Sequence, residues 1–212
     1  GAVMGCKGLK FIVIDPGREF SAARVAKRKK EFKESLKEQT KRYLEGPRRM
    51  AKGTARAVAK AASLNTLPYK NRRAGSPPAE DVIGLDGATI LTSFATRGGG
   101  MHNCMSGCIV NCSNLVNRED GSYLTSALEL ETLGLLGSNC AVGKWDEVGE
   151  LDRLCDDIGL DTMEIGVAIG VLMDAGEMPW GDVAAMTDLL RQVAAGTALG
   201  RVVGNGARCV GE

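Results

Sequence analysis

Residues 145–176 read WDEVGELDRLCDDIGLDTMEIGVAIGVLMDAG. Apolar side chains at positions 148, 151, 154, 155 and 158 share one helical face, which predicts a helix from Trp145 to Ile158. Gly159 ends it, because glycine adopts a left-handed backbone without a Cβ penalty. Asp161 is placed to cap a second helix over 161–175 by accepting a backbone N–H, and Gly176 to terminate it. A helix, a tight turn and another helix define the class.

The segments on either side agree. Downstream, helices are predicted over 181–195 and 199–210. Upstream, 125–136 reads as a helix stopped by Gly137, and 88–96 as a short helix before Gly98-Gly99-Gly100. Pro68, Pro77 and Pro78 make 64–84 a loop. An alanine-rich helix is predicted over 49–63, and a long polar one over 21–44. Ser21 is placed to cap the polar helix and Gly46-Pro47 to end it, with a sparse apolar stripe at Val25, Phe32, Leu36 and Leu44. The apolar run 9–15 before Pro16-Gly17 reads as a strand. The expected fold is mainly α: a multi-helical domain over 18–212 with a short N-terminal β-strand within 1–17 and a little β around the cysteines. An opening on Gly1 rather than Met leads us to expect a piece of a longer polypeptide.

Composition narrows the function. Of 212 residues, 44% are hydrophobic and 25% charged, as in ordinary globular proteins. No apolar run approaches the ~20 residues of a membrane span, and no signal peptide is visible, so a cytoplasmic protein without a membrane partner is expected. Residues 1–80 carry 20 Lys/Arg against 7 Asp/Glu, and residues 81–212 carry 7 against 19. That split suits an acidic partner or a neighbouring surface. Glu31, Glu34, Glu38 and Glu45, interleaved in the basic helix, argue against nucleic acid and for i,i+4 pairing.

Three of the seven cysteines lie in HNCMSGCIVNC, residues 102–112, with the spacing C-x3-C-x3-C. An odd cysteine count without a signal peptide disfavours a disulfide framework. Clustered thiolates on one loop suit an iron–sulfur cluster, whose cubane form needs four ligands. Three reduced structural cysteines or a zinc site remain alternatives, although structural zinc favours cysteine pairs in two separated halves. A radical-SAM loop would need one residue fewer in its second gap. His102, the sole histidine, excludes a multi-histidine metal centre, and no G-x-S-x-G elbow accompanies it.

The stretch CMSGCIVNCSN, Cys104 to Asn114, resembles the cluster-binding loop of the aldehyde ferredoxin oxidoreductase family of tungsten-pterin enzymes. Four more stretches are similar to that family in the same order: GAVMGCKGLKFIV at the start, LPYKN from Leu67, LELETLGLLGSNC from Leu128, and DDIGLDT from Asp156. The resemblance implies the first helical domain after a β-rich pterin-cradle domain, with 1–17 as the end of that domain or a connecting strand. It implies an enzyme that oxidises aldehydes to carboxylic acids with ferredoxin as electron acceptor. Its cofactors would be a [4Fe–4S] cluster and tungsten, or molybdenum, held by two molybdopterin-type pterins.

By motif, Cys104, Cys108 and Cys112 would be cluster ligands, although the family's first gap is commonly x2. The fourth ligand would lie beyond Glu212. Asp156, Leu160 and Asp161 would contact a pterin; a helix stop followed by an N-cap explains the same residues without a ligand. Glu131 would be the catalytic carboxylate near the metal, with Glu129, two residues away on a helix, pointing elsewhere. Cys140, Cys155 and Cys209 read as core cysteines. Partners would be ferredoxin, the aldehyde and the remaining domains of the parent chain, with a homo-oligomer left open. The isolated chain is expected to be inactive. The alternative is a stand-alone electron-transfer or metal-binding module completed by Cys140 or another local cysteine.

Overall fold

The computed structural model describes residues 2–15, 27–46, 53–105 and 108–212, with side chains from residue 3. The chain forms two compact units, Gly1–Arg49 and Met50–Glu212. No helix among the described residues is long and apolar enough to cross a membrane.

In the first unit, α1 spans Ala2–Gly5 and α2 spans Lys29–Glu45. Gly46 closes α2 by donating its N–H to Arg42, as the Gly-Pro signal predicts. The expected i,i+4 pairing is present as Arg42–Glu38 and Lys41–Glu45. None of the residues of α2 is buried, and Phe32, Leu36 and Leu44 are exposed. Ser21 and Val25 lie outside the described residues. Residues 9–15 do not form the expected strand. An apolar run becomes a strand only in a hydrogen-bonded ladder, and the sheet among the described residues consists of three later strands.

The second unit begins with a 3-10 turn, Thr54–Ala57, leading into α3, Val58–Ser63. This is shorter than the helix expected over 49–63, whose first residues fall partly outside the described ones; Gly53, at φ +74°, breaks the helical path. The predicted 64–84 loop contains two missed elements: a 3-10 turn at Lys70–Arg72 and helix α4, Ala79–Leu85. Pro78 occupies the N-cap of α4, where a missing N–H costs nothing, so the prolines start a helix instead of forbidding one. Helix α5, Gly87–Arg97, is capped by Asp86.

Strands β1 (Gly100–His102), β2 (Ser113–Asn117) and β3 (Tyr123–Ser126) form an antiparallel sheet in that order. His102 faces Ser113, so residues 103–112 are the β1–β2 hairpin connection. The helix expected to start at 125 starts later. Thr125 and Ser126 belong to β3, Ala127 turns the chain at φ +56°, and α6 covers only Leu130–Thr132. It continues through a π turn, Leu133–Gly137, and a 3-10 turn, Ser138–Cys140.

Helices α7 (Trp145–Ile158) and α8 (Thr162–Asp174) match the reading. Val148, Leu151 and Cys155 of the predicted stripe are buried, with Leu154 and Ile158 packed at its margin. Each fully buried aliphatic side chain contributes about 1.5–3 kcal/mol. Glycines allow the close crossings. A Cβ at Gly166 would lie 2.5 Å from the Leu135 carbonyl, and one at Gly149 2.8 Å from Leu124 Cδ2. Helix α9 spans Val183–Ala195. The single helix expected over 199–210 is two, α10 (Ala198–Gly204) and α11 (Ala207–Gly211), separated at Asn205-Gly206.

Candidate functional site

The three clustered cysteines sit on the β1–β2 connection because the sheet register closes the hairpin around them. Cys104 is exposed; Cys108 and Cys112 are half-buried; all are free thiols. Cys108 donates its N–H to the Met105 carbonyl at 3.1 Å. The Cys112 thiol is held above its ordinary pKa, first by burial and next by the charge of Glu129, with Cys104 and Cys108 adding to it. Among the described residues no three His, Cys, Asp or Glu side chains converge as a metal site. In kind, the donor set fits a thiolate-bound iron–sulfur group: three free thiols on one loop.

Asn114, the last residue of the loop motif, ties the hairpin to the next motif. Its side chain donates to the Leu128 carbonyl at 2.8 Å and accepts the Leu128 N–H at 3.0 Å. Both side-chain groups of this buried amide are therefore satisfied by one residue. His102 contacts the Asn114 carbonyl at 3.2 Å through Nε2 and the Asn103 carbonyl at 3.2 Å through Nδ1. Its observed partners are these backbone carbonyls.

Glu129 and Glu131 follow. Glu129 is not helical; it takes extended angles (φ −111°, ψ 176°) at the N-cap of α6. Spacing along a helix therefore does not govern its direction; it reaches Thr54, away from the cleft that Glu131 lines. Its Oε2 accepts the Thr54 hydroxyl at 3.1 Å, and Thr54 Oγ1 accepts the Leu130 N–H at 3.0 Å. Glu131 is exposed on a cleft of about 270 Å3 shared with Leu67, Pro68, Arg72 and Gly134. The LPYKN and LELET stretches thus meet there, and Ser138 fastens them by donating to the Pro68 carbonyl at 2.7 Å.

The DDIGLD turn explains much of itself. Gly159 is left-handed at φ +86°. Leu160 N–H returns to the Cys155 carbonyl at 2.8 Å and Gly159 N–H to Asp156 at 3.2 Å, a Schellman stop. Asp161 accepts the Glu164 N–H at 2.7 Å as the N-cap of α8. The Asp156 side chain is exposed and makes no hydrogen bond among the described residues, whereas Leu160 packs at the core margin. The Thr132 and Thr162 hydroxyls meet at 2.8 Å, joining the residue after Glu131 to the residue after Asp161.

Cys140 and Cys155 are core residues, as read, and burial pushes each thiol up to about 12. Cys209 is only half-buried. Thr54, Asn114 and the placement of Glu129 escaped the sequence reading. The one available signal was that Asn114 closes the cysteine motif.

Fold and site together define a mainly helical domain with a loop of three free thiols joining two strands of its small sheet. The family model described as "Aldehyde ferredoxin oxidoreductase, domains 2 & 3" matches residues 28–212, and the chain belongs to that family of oxidoreductases. It is 26% identical over 183 residues to a tungsten-containing aldehyde ferredoxin oxidoreductase of Pyrococcus furiosus. It is 25% identical over 177 residues to the protein of the same description from Thermococcus kodakarensis. Each match covers 84% of this chain and 28% of the relative, so the chain spans little more than a quarter of their length.

Proposed function

We propose that this chain is the part of an aldehyde-oxidising enzyme that carries electrons from the metal centre toward ferredoxin. Family membership over 28–212, with the cysteine hairpin tied to the LELET segment through Asn114, supports this reading. Cys104, Cys108 and Cys112 supply three thiolates to a [4Fe–4S] cluster, which when bound provides a one-electron relay. Asp156, Leu160 and Asp161 line the side of a pterin that holds tungsten, or molybdenum. The exposed Asp156 carboxylate accepts hydrogen bonds from ring N–H and NH2 groups. When loaded, the metal-pterin group supplies the two-electron oxidation chemistry. Glu131, open to its cleft, orients a water and takes its proton at a carboxylate oxygen as the carboxylic acid forms. Ferredoxin, the aldehyde and the remaining domains of the parent enzyme are the partners. The seven free thiols suit a reducing, cytoplasmic setting.

The test is iron and acid-labile sulfide per chain after anaerobic reconstitution, with zinc assayed on the same sample. Bound iron and sulfide that disappear when the three loop cysteines become serine are expected. Stoichiometric zinc without iron would overturn the proposal in favour of a structural metal module. In the complete enzyme, Glu131→Gln is expected to lower kcat by about 100-fold or more while leaving iron content unchanged.

A further inference from the structure

Glu129 is half-buried, its carboxylate held by Thr54 and the backbone of the residue before it held by Asn114. Thr54 Oγ1 donates to its Oε2 at 3.1 Å and accepts the next residue's N–H at 3.0 Å. On its other side, Leu128 has both backbone groups held by Asn114, at 2.8 and 3.0 Å. Asn114 lies two residues beyond Cys112. Gly53, beside Thr54, presses on the same place: a Cβ there would lie 3.0 Å from the Cys112 carbonyl oxygen. The hairpin foot and the Glu129 anchor are therefore packed as one piece. No Lys or Arg forms an ion pair with Glu129 among the described residues.

A charge held near a thiolate-bound cluster acts directly on its reduction. Reduction adds one electron, and hence one negative charge, to the cluster. A fixed anion nearby opposes that addition, more strongly where protein rather than water lies between them. Cluster potentials respond to such local charge.

We propose that Glu129, positioned by Thr54, lowers the reduction potential of the iron–sulfur group carried by the cysteine hairpin. This rests on the cluster reading above and adds a control residue to it. Glu129 exchanges no bond or electron. The cluster takes one electron from the enzyme's metal centre and yields it to a one-electron carrier protein, and the carboxylate biases that equilibrium.

The experiment is a redox titration of the complete, anaerobically isolated enzyme at neutral pH. Dithionite supplies electrons through small mediators, and the cluster's EPR signal is followed. Glu129→Gln, nearly isosteric, is expected to favour reduction about tenfold, a positive shift of ~59 mV for one electron. Thr54→Val keeps the charge but frees the carboxylate, and should give a smaller shift in the same direction that Thr54→Ser reverses. Asp188→Asn, an exposed carboxylate on α9, should leave the potential unchanged. An unshifted potential in Glu129→Gln, or an equal shift in Asp188→Asn, overturns the inference while the cluster reading survives. Wild-type enzyme without a cluster signal overturns both.

Discussion

The cysteine hairpin and the α7–α8 pair carry neighbouring motifs, yet different forces build them. In α7–α8, every turn has a local cause: a buried stripe, a Schellman glycine and an aspartate cap. In the hairpin, the strand register sets only the two ends. Among the described residues its thiols do not converge with other donors, and their shared feature is chemical rather than geometric. One motif is a fold element explained by its own caps and packing. The other is a set of free thiols that the proposed function assigns to a cluster.

The widest test of that contrast replaces Cys104, Cys108 and Cys112 with serine together. Iron after anaerobic reconstitution should fall to background. The thermal midpoint of the metal-free chain should stay within a few degrees, because none of the three is buried. A large loss of metal-free stability would show that the loop is a structural element after all.

Gly166→Ala probes the other region. Its new methyl would meet backbone at 2.5 Å, which cannot move aside as a side-chain tip can. A loss of about 3 kcal/mol in denaturant unfolding is expected. An unchanged midpoint would mean that α8 does not depend on this crossing.

Asp152 on α7 gives a smaller, pH-dependent effect. It is buried, and burial lifts its carboxyl from 3.8 to about 6, with the Thr125 hydroxyl pulling it down and Asp156 adding to the rise. The folded state therefore holds this proton more tightly than the unfolded chain does. Its stabilising contribution is complete below 3.8 and is lost as pH climbs through about 6. Asp152→Asn, neutral at all pH, should gain about 1–3 kcal/mol near pH 8 and nothing near pH 3. Equal effects at both pH values would contradict the assignment.

Asp161 gives the smallest stability effect and the sharpest division between the two roles of its motif. Asparagine caps as well as aspartate, so Asp161→Asn should change stability by less than about 0.5 kcal/mol, whereas Asp161→Ala should cost about 1 kcal/mol. If pterin content of the complete enzyme is unchanged in Asp161→Asn, the residue is a cap and nothing more.

Legibility followed the range of the interactions. The α7–α8 pair was readable because a 3.6-residue apolar period and short-range caps are both written locally. Errors gathered where a partner distant in sequence decides. Residues 9–15 look like a strand but are not part of the sheet among the described residues. Thr125 and Ser126 look helical but are claimed by β2. Glu129 reads as helical, but the helix begins one residue later. The cysteines were found at once by spacing, but their common loop follows from the pairing of His102 with Ser113.

By itself, then, the sequence determined the helical class, the motif order, the buried stripe of α7 and the residue types available for a cluster and a pterin. Only tertiary structure decided that Asn114 and Thr54 hold Glu129 beside the cysteine hairpin, and that the LPYKN and LELET stretches share a cleft. Periodicity and capping act over one or two helical turns and leave a mark in composition. A hydroxyl 75 residues away from its carboxylate leaves none, because many surface threonines read the same until the chain has packed.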